Sequence, residues 1–337
     1  MLRKLTRSSA GALLVIGLAA TTAGAVPILF SPIYNDGVDE GFNDPSLGAS
    51  RKFALEYAFG LIGGVFESRY AGEVIHVQAQ FDPLGGTSTS AKLGTGGPAA
   101  FHSNFNNKPV ANRFFPTPLA NHLHLGDVNS STYEIRVTFN TDVDNDAVLG
   151  SKNWYYGTDA KPGGHFDMVT VALHEMAHGL AFAGLLQSNG AYTSSAATIF
   201  DHFMNTSATG GIKLTELAPL DEENAARAAE TKGNDLWWDG MLATMANDGT
   251  RPKLHAPATF VSGSSLYHVD EATLGSELMS PVYSGADHTF SSLELGMLGD
   301  VGWTLAAIPE PGAWLFGVVV MCLSGVAVAI QRRRENL

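Results

Sequence analysis

The stretch VTVALHEMAHGLAFAG, residues 169–184, constrains this chain more than any other. It reads as an apolar helix built for burial, yet it carries His174, Glu175 and His178 on adjacent turns. Residues four apart share a helix face, so His174 and His178 can aim a ring nitrogen at one point. Glu175 follows the first histidine directly, where it can reach a water held at that point without ligating a metal itself. A helix of this kind either pairs its histidines by hydrogen bonds in the core or gives them a cation. The H-E-x-x-H pattern fits zinc and water-activating hydrolysis, most often of a peptide bond.

The two ends read as addresses rather than fold. Residues 1–25 have a basic start (Arg3, Lys4, Arg7), an apolar run and a closing Ala23-Gly24-Ala25, the pattern of a secretory signal peptide removed by signal peptidase. The last segment, 308–337, has Pro309-Glu310-Pro311, an apolar run from Ala313 to Ile330 and then Arg332-Arg333-Arg334. The run can just span a bilayer, with the arginines on the cytoplasmic side. Motif, span and arginines in this order resemble the PEP-CTERM sorting tail of Gram-negative bacteria. That resemblance implies transient anchoring in the inner membrane, cleavage by an exosortase near the motif, and delivery to the cell surface or beyond.

Between the ends lies one domain's worth of chain, 26–307, with a long insertion at about 187–260. Setting aside six basic end residues (Arg3, Lys4, Arg7, Arg332, Arg333, Arg334) and two acidic ones (Glu310, Glu335) leaves 14 basic against 31 acidic. The net charge is then near −17, against −13 for the whole chain. Such a surface argues against nucleic acid and anionic lipid as partners, and leaves the tail as the only membrane contact. The single cysteine, Cys322, sits in the tail, so the exported part has neither a disulfide nor a cysteine-based zinc site and relies on a packed core.

Residues 47–66 predict an amphipathic helix, with Phe53, Tyr57, Leu61 and Val65 spaced four apart. Glu73–Phe81 and Tyr133–Phe139 alternate as half-buried strands. The Gly-, Ser-, Asn- and Pro-rich segment 83–112 predicts loop. Asp142, Asp144 and Asp146 have the spacing of a calcium loop, but Ala147 replaces its glycine and no glutamate follows, which favours a solvated acidic turn. Asp167 is the expected N-cap of the histidine helix and Gly184 its expected stop. DEENAARAAETK, from Asp221, predicts a short helix. The order of elements predicts an α+β domain with a small twisted sheet backed by helices.

A catalytic zinc takes a third protein ligand and keeps one position open. By residue type the candidates are Asp201, His202, Glu216, His255, His268 and His288. No helix leads into Glu216, whereas Asp201 suits an aspartate-liganded site. His268 lies in GSSLYHVDEATLGSELMSPVYSG, with 89 residues between it and His178, and eleven positions before Met279. HEMAHGLAF, GSSLYHVD, ELMSP and the closing LGDVGW together resemble metzincin zinc proteases, in particular the leishmanolysin-like group, whose third histidine follows a long insertion. The likeness spans about residues 50–305 and is sharp at 166–184 and 261–303.

The resemblance implies a metzincin-like α+β fold, with His174, His178 and His268 as ligands of one zinc ion and Glu175 as general base. It also implies a Met-turn at Met279 and, by looser analogy, Tyr283 as a donor to a transition-state oxyanion. The chain is then an exported zinc metalloendopeptidase acting on proteins or peptides. The alternative is a surface matrix or adhesion protein that keeps the scaffold with little catalysis. One departure stands out: the family's glycine three residues after the second histidine is Ala181 here. A left-handed alanine costs roughly 1–2 kcal/mol, so the helix is expected to run on toward Gly184.

Overall fold

Val74–Asp82 buries every second residue, Ile75, Val77, Ala79 and Phe81, as its alternation predicts. The computed structural model describes residues 26–129, 132–217 and 223–306; the signal-peptide segment and the sorting tail lie outside these residues. In chain order the first elements are β1 (Leu29–Tyr34), α1 (Gly48–Gly63), β2 (Val74–Asp82), β3 (Gly94–Pro98), β4 (Phe101–His102) and β5 (Phe115–Pro116). Next come α2 (Thr117–His124), β6 (Ile135–Asn140), β7 (Trp154–Tyr155), β8 (Phe166–Asp167) and α3 (Met168–Leu180). The last stretch holds α4 (Ile199–His202), β9 (Met204–Asn205), α5 (Glu223–Glu230), β10 (Leu236–Trp238), α6 (Met241–Ala246), β11 (Lys253–Leu254), α7 (Glu271–Leu274) and α8 (Ser292–Val301).

The main sheet has the order β1-β2-β6-β3. β1, β2 and β6 run parallel, and β3 lies antiparallel to β6 at the edge, with Gly97 opposite Arg136 and Gly94 opposite Phe139. Parallel pairs need crossovers, and α1 supplies the first. α1 packs on β1 and α3, and α3 packs on β3 and β6, so two helices back the sheet. The segment 187–260 contributes a separate three-stranded sheet, β11-β10-β9, whose Trp238 is buried against Phe200 and Phe203. The architecture is α+β, with small mixed sheets and helices.

Three expectations are corrected. α1 buries Arg51, Ala54, Leu55, Ala58, Phe59 and Ile62, while Phe53 and Tyr57 face solvent. The helix is apolar on more than one side, and the face with alanines wins because it lets α3 approach closely. The segment read as loop, 83–112, contains β3 and β4. Its GTGGP sequence has almost no side chains to alternate, so periodicity could not reveal a strand. Lastly, the acidic turn is solvated at Asp146 but not left to solvent at Asp144, which pairs with the buried Arg51 guanidinium at 3.0 Å and accepts from the Tyr156 hydroxyl and the Trp154 amide. The cation of this acidic turn is an arginine. Asp142 is spent on the Gly85 amide at 2.8 Å, and no calcium cage of carboxylates forms among the described residues.

Candidate metal centre

The Asp167 side chain accepts from the Thr170 amide at 2.8 Å and starts α3 as expected. The helix ends at Leu180, before Gly184. Ala181 leaves it at φ −167°, outside the left-handed region, so the strain expected of a left-handed alanine does not arise. Gly184 serves a different purpose. A Cβ there would lie 2.3 Å from the Tyr267 ring and 2.4 Å from Asp201 Oδ1. Its missing side chain lets the chain after the helix pass against those two residues.

The early exit matters for His178. Its Nδ1 lies 2.6 Å from the carbonyl oxygen of Phe182, which the turn at Ala181 brings back under the ring. His174 Nδ1 lies 2.7 Å from the Leu278 carbonyl, and His268 Nδ1 lies 2.7 Å from the Ser264 carbonyl. A carbonyl only accepts, so each Nδ1 carries the proton and each Nε2 is left with a bare lone pair. Those lone pairs converge. His174 Nε2 is 3.1 Å from His268 Nε2 and 3.1 Å from His178 Nε2. Neutral rings of this tautomer cannot hydrogen-bond to one another. Burial and mutual repulsion also oppose protonation, lowering His178 to about 3, with His174 and His268 shifted the same way mainly by desolvation. A shared cation would satisfy three facing lone pairs. Tetrahedral zinc with nitrogens at ~2.1 Å would set them roughly 3.4 Å apart, close to the spacing found.

The three histidines could hold a metal ion, and they form the one such cluster of histidine, cysteine and carboxylate side chains among the described residues. Three of the other candidates for third ligand are engaged elsewhere. Asp201 is fully buried, but it closes a capping box with Thr198 and accepts from the Tyr267 hydroxyl at 3.0 Å. His288 pairs with Asp167 at 2.8 Å, and His202 stands near Lys213.

No known family, curated protein or solved structure matches this chain. The site's chemistry therefore rests on its own residues.

Glu175 sits 7% exposed between the two histidines of α3, and its carboxylate has no hydrogen-bond partner among the described residues. Desolvation pushes it up to about 8, opposed by the Lys92 charge. Strand β3 shapes its surroundings. A Cβ built on Gly96 would fall 2.1 Å from the Glu175 carbonyl oxygen, and one on Gly94 would fall 3.1 Å from its Oε1. Glycines at alternate positions thus let the edge strand lie directly on the histidine helix, a requirement that composition alone did not reveal.

Met279 is fully buried in a tight turn, where the Ser280 N–H donates to the Glu277 carbonyl at 3.1 Å. Its carbonyl accepts from Val269 N at 3.0 Å, and its own N–H donates to Glu294 Oε1 at 2.6 Å. Leu278 and Met279 therefore tie together His174, the residue after His268, and α8. Glu294 was not among the sequence candidates, although S-x-x-E at Ser291–Glu294 is a legible capping box. Tyr283 accepts from the Asp167 amide at 3.0 Å. Its hydroxyl thus sits at the start of α3, seven residues before His174 and roughly 10 Å along the axis.

Proposed function

We propose that this chain is an exported zinc metalloendopeptidase of the metzincin type. The observation carrying the reading is the convergence of three Nδ1-protonated histidines, His174, His178 and His268, with Glu175 beside them. Three neutral imidazoles suit zinc, leave its charge undiminished and leave a fourth position open. Zinc held there would supply Lewis acidity toward a carbonyl oxygen and toward an attacking water.

The protein's own groups do the rest. Glu175 does not ligate; it takes the proton of the attacking water and passes it to the leaving amine, which requires a carboxylate with proton affinity well above the ordinary. Its burial provides that affinity. The carbonyls of Leu278, Phe182 and Ser264 fix the three rings in one tautomer and orientation. Met279 supports that frame from the turn beneath α8, and Glu294 braces Met279. Tyr283 supports the α3 start by accepting from the Asp167 amide, and its own hydroxyl proton is left for donation to a transition-state oxyanion. Residues 1–25 and 308–337 are proposed as signal peptide and sorting tail, which puts the protein at or beyond the cell surface of a Gram-negative bacterium. Casein turnover by the purified protein tests the reading. Loss with a chelator and recovery with zinc is expected, and absence of turnover at full zinc occupancy would leave the scaffold reading instead.

A further inference from the structure

We propose that Arg136 selects an acidic side chain in a substrate peptide extended along the open edge of β3; this rests on the peptidase reading above. β3 is paired with β6 on one side and with no other strand of its sheet among the described residues. Its free amides and carbonyls are a template for a further strand. Because Gly94 and Gly96 lie on Glu175, a peptide paired with β3 runs alongside the catalytic carboxylate.

Alternation sends position 97 to the other face of the sheet, where it stands opposite Arg136. No atom lies within 4 Å of where a Gly97 Cβ would be, so nothing screens Arg136 from the edge. A cavity of about 290 Å³ opens there, lined by residues Thr95 to Ala99 together with Tyr133 and Arg136. An added strand lies about 4.8 Å beyond β3, which puts its residue opposite Gly97 roughly 10 Å from Arg136 between Cα atoms. An arginine and an aspartate or glutamate, both reaching across the glycine, span that gap.

The charge on Arg136 is available. Its Nε donates to Gln78 Oε1 at 2.8 Å, and its Nη2 meets the hydroxyl of Tyr133, over whose ring it sits at 5.4 Å. Neither partner is a carboxylate, and Arg136 makes no ion pair with a described residue. The nearest acid in sequence, Glu134, is buried and turned to His76, accepting from its amide at 2.6 Å. A planar fork with spare donors recognises a carboxylate in two-point fashion. On an exposed face the discrimination is modest, about 1.5- to fivefold in Kd.

Fluorescent peptides of one sequence, with Asp, Asn or Lys moved through each position, test this on the zinc-loaded protein. Binding is read by anisotropy on a Glu175→Gln variant, and turnover is read on wild type. Asp should bind tighter than Asn or Lys at one position only. Adding Arg136→Gln should erase that preference without changing affinity for the neutral peptides, and Arg136→Glu should transfer it to Lys. An Asp preference that survives Arg136→Gln, no preference at any position, or no peptide binding would overturn the inference. Preference on Glu175→Gln without cleavage by wild type would keep the selection and remove the peptidase reading. Cleavage without preference would do the reverse.

Discussion

At each of the three histidines one local solution recurs: Nδ1 is spent on a main-chain carbonyl so that Nε2 is free to face the other two rings. These carbonyls come from three different segments, so removing one ring leaves the others oriented but short of a ligand. His268→Ala should therefore lose tight zinc binding, read as metal retained after dialysis, while circular dichroism stays close to wild type. Retention of one zinc per chain would move the third ligand elsewhere. Glu175→Gln should keep its zinc and lose about 10²–10⁴-fold in hydrolysis, as expected on removing a general base. Loss of less than tenfold would take that role away. The His174–Glu175–His178 arrangement was legible because helix geometry alone places i and i+4 on one face. His268 was readable only through resemblance, since nothing in 89 intervening residues encodes where the chain returns.

Among the elements, β3 and α8 do most to frame the site, and they differ in how much their sequences disclose. α8 announces itself through Ser291 and Glu294, whereas β3 is hidden because its work is done by absent side chains. Gly96→Ala drives a Cβ into the Glu175 backbone, where no flexible group can yield; Gly97→Ala meets open space. The first should unfold at markedly lower temperature, with a loss of about 1–3 kcal/mol typical of a forced overlap, and the second should stay within about 0.5 kcal/mol of wild type. Equal effects of the two would contradict the close approach of β3 to α3.

The Glu294 carboxyl that holds the Met279 amide is raised to about 7 by burial, against opposing hydrogen bonds from Ser291 and Met279. Its ordinary value is 4.5, so the folded chain binds this proton more tightly than the unfolded one. That contribution to stability is fully present below about 4.5 and is lost as pH rises through about 7. A Glu294→Gln variant lacks the titration. In the metal-free form, wild-type stability relative to this variant should fall by on the order of 3 kcal/mol between pH 4 and pH 8. A gap that is constant, or that grows, would contradict the assignment.

On the scale of the whole molecule, a metal held by His174, His178 and His268 would link α3 to a segment beyond the 187–260 insertion, so its removal should be felt globally. At a thousandfold excess of zinc over its Kd the gain is about 4 kcal/mol, and the chelated protein should melt on the order of 10 °C lower. The acidic balance of the chain was legible in the sequence because charge needs no fold, while the proposed signal peptide and sorting tail lie outside the described residues. Protein from the native host should lack the residues after about Pro311, and intact Arg332–Arg334 on surface protein by mass spectrometry would reduce the tail to a simple anchor. The account stands most directly on one paired titration: zinc content and peptide hydrolysis followed in the same sample as a chelator is added and zinc is then restored. The prediction is one zinc per chain, with activity falling and returning in step with occupancy, and neither zinc nor activity in His268→Ala. Hydrolysis that persists in zinc-free protein, or a chain that takes up no zinc, would contradict it.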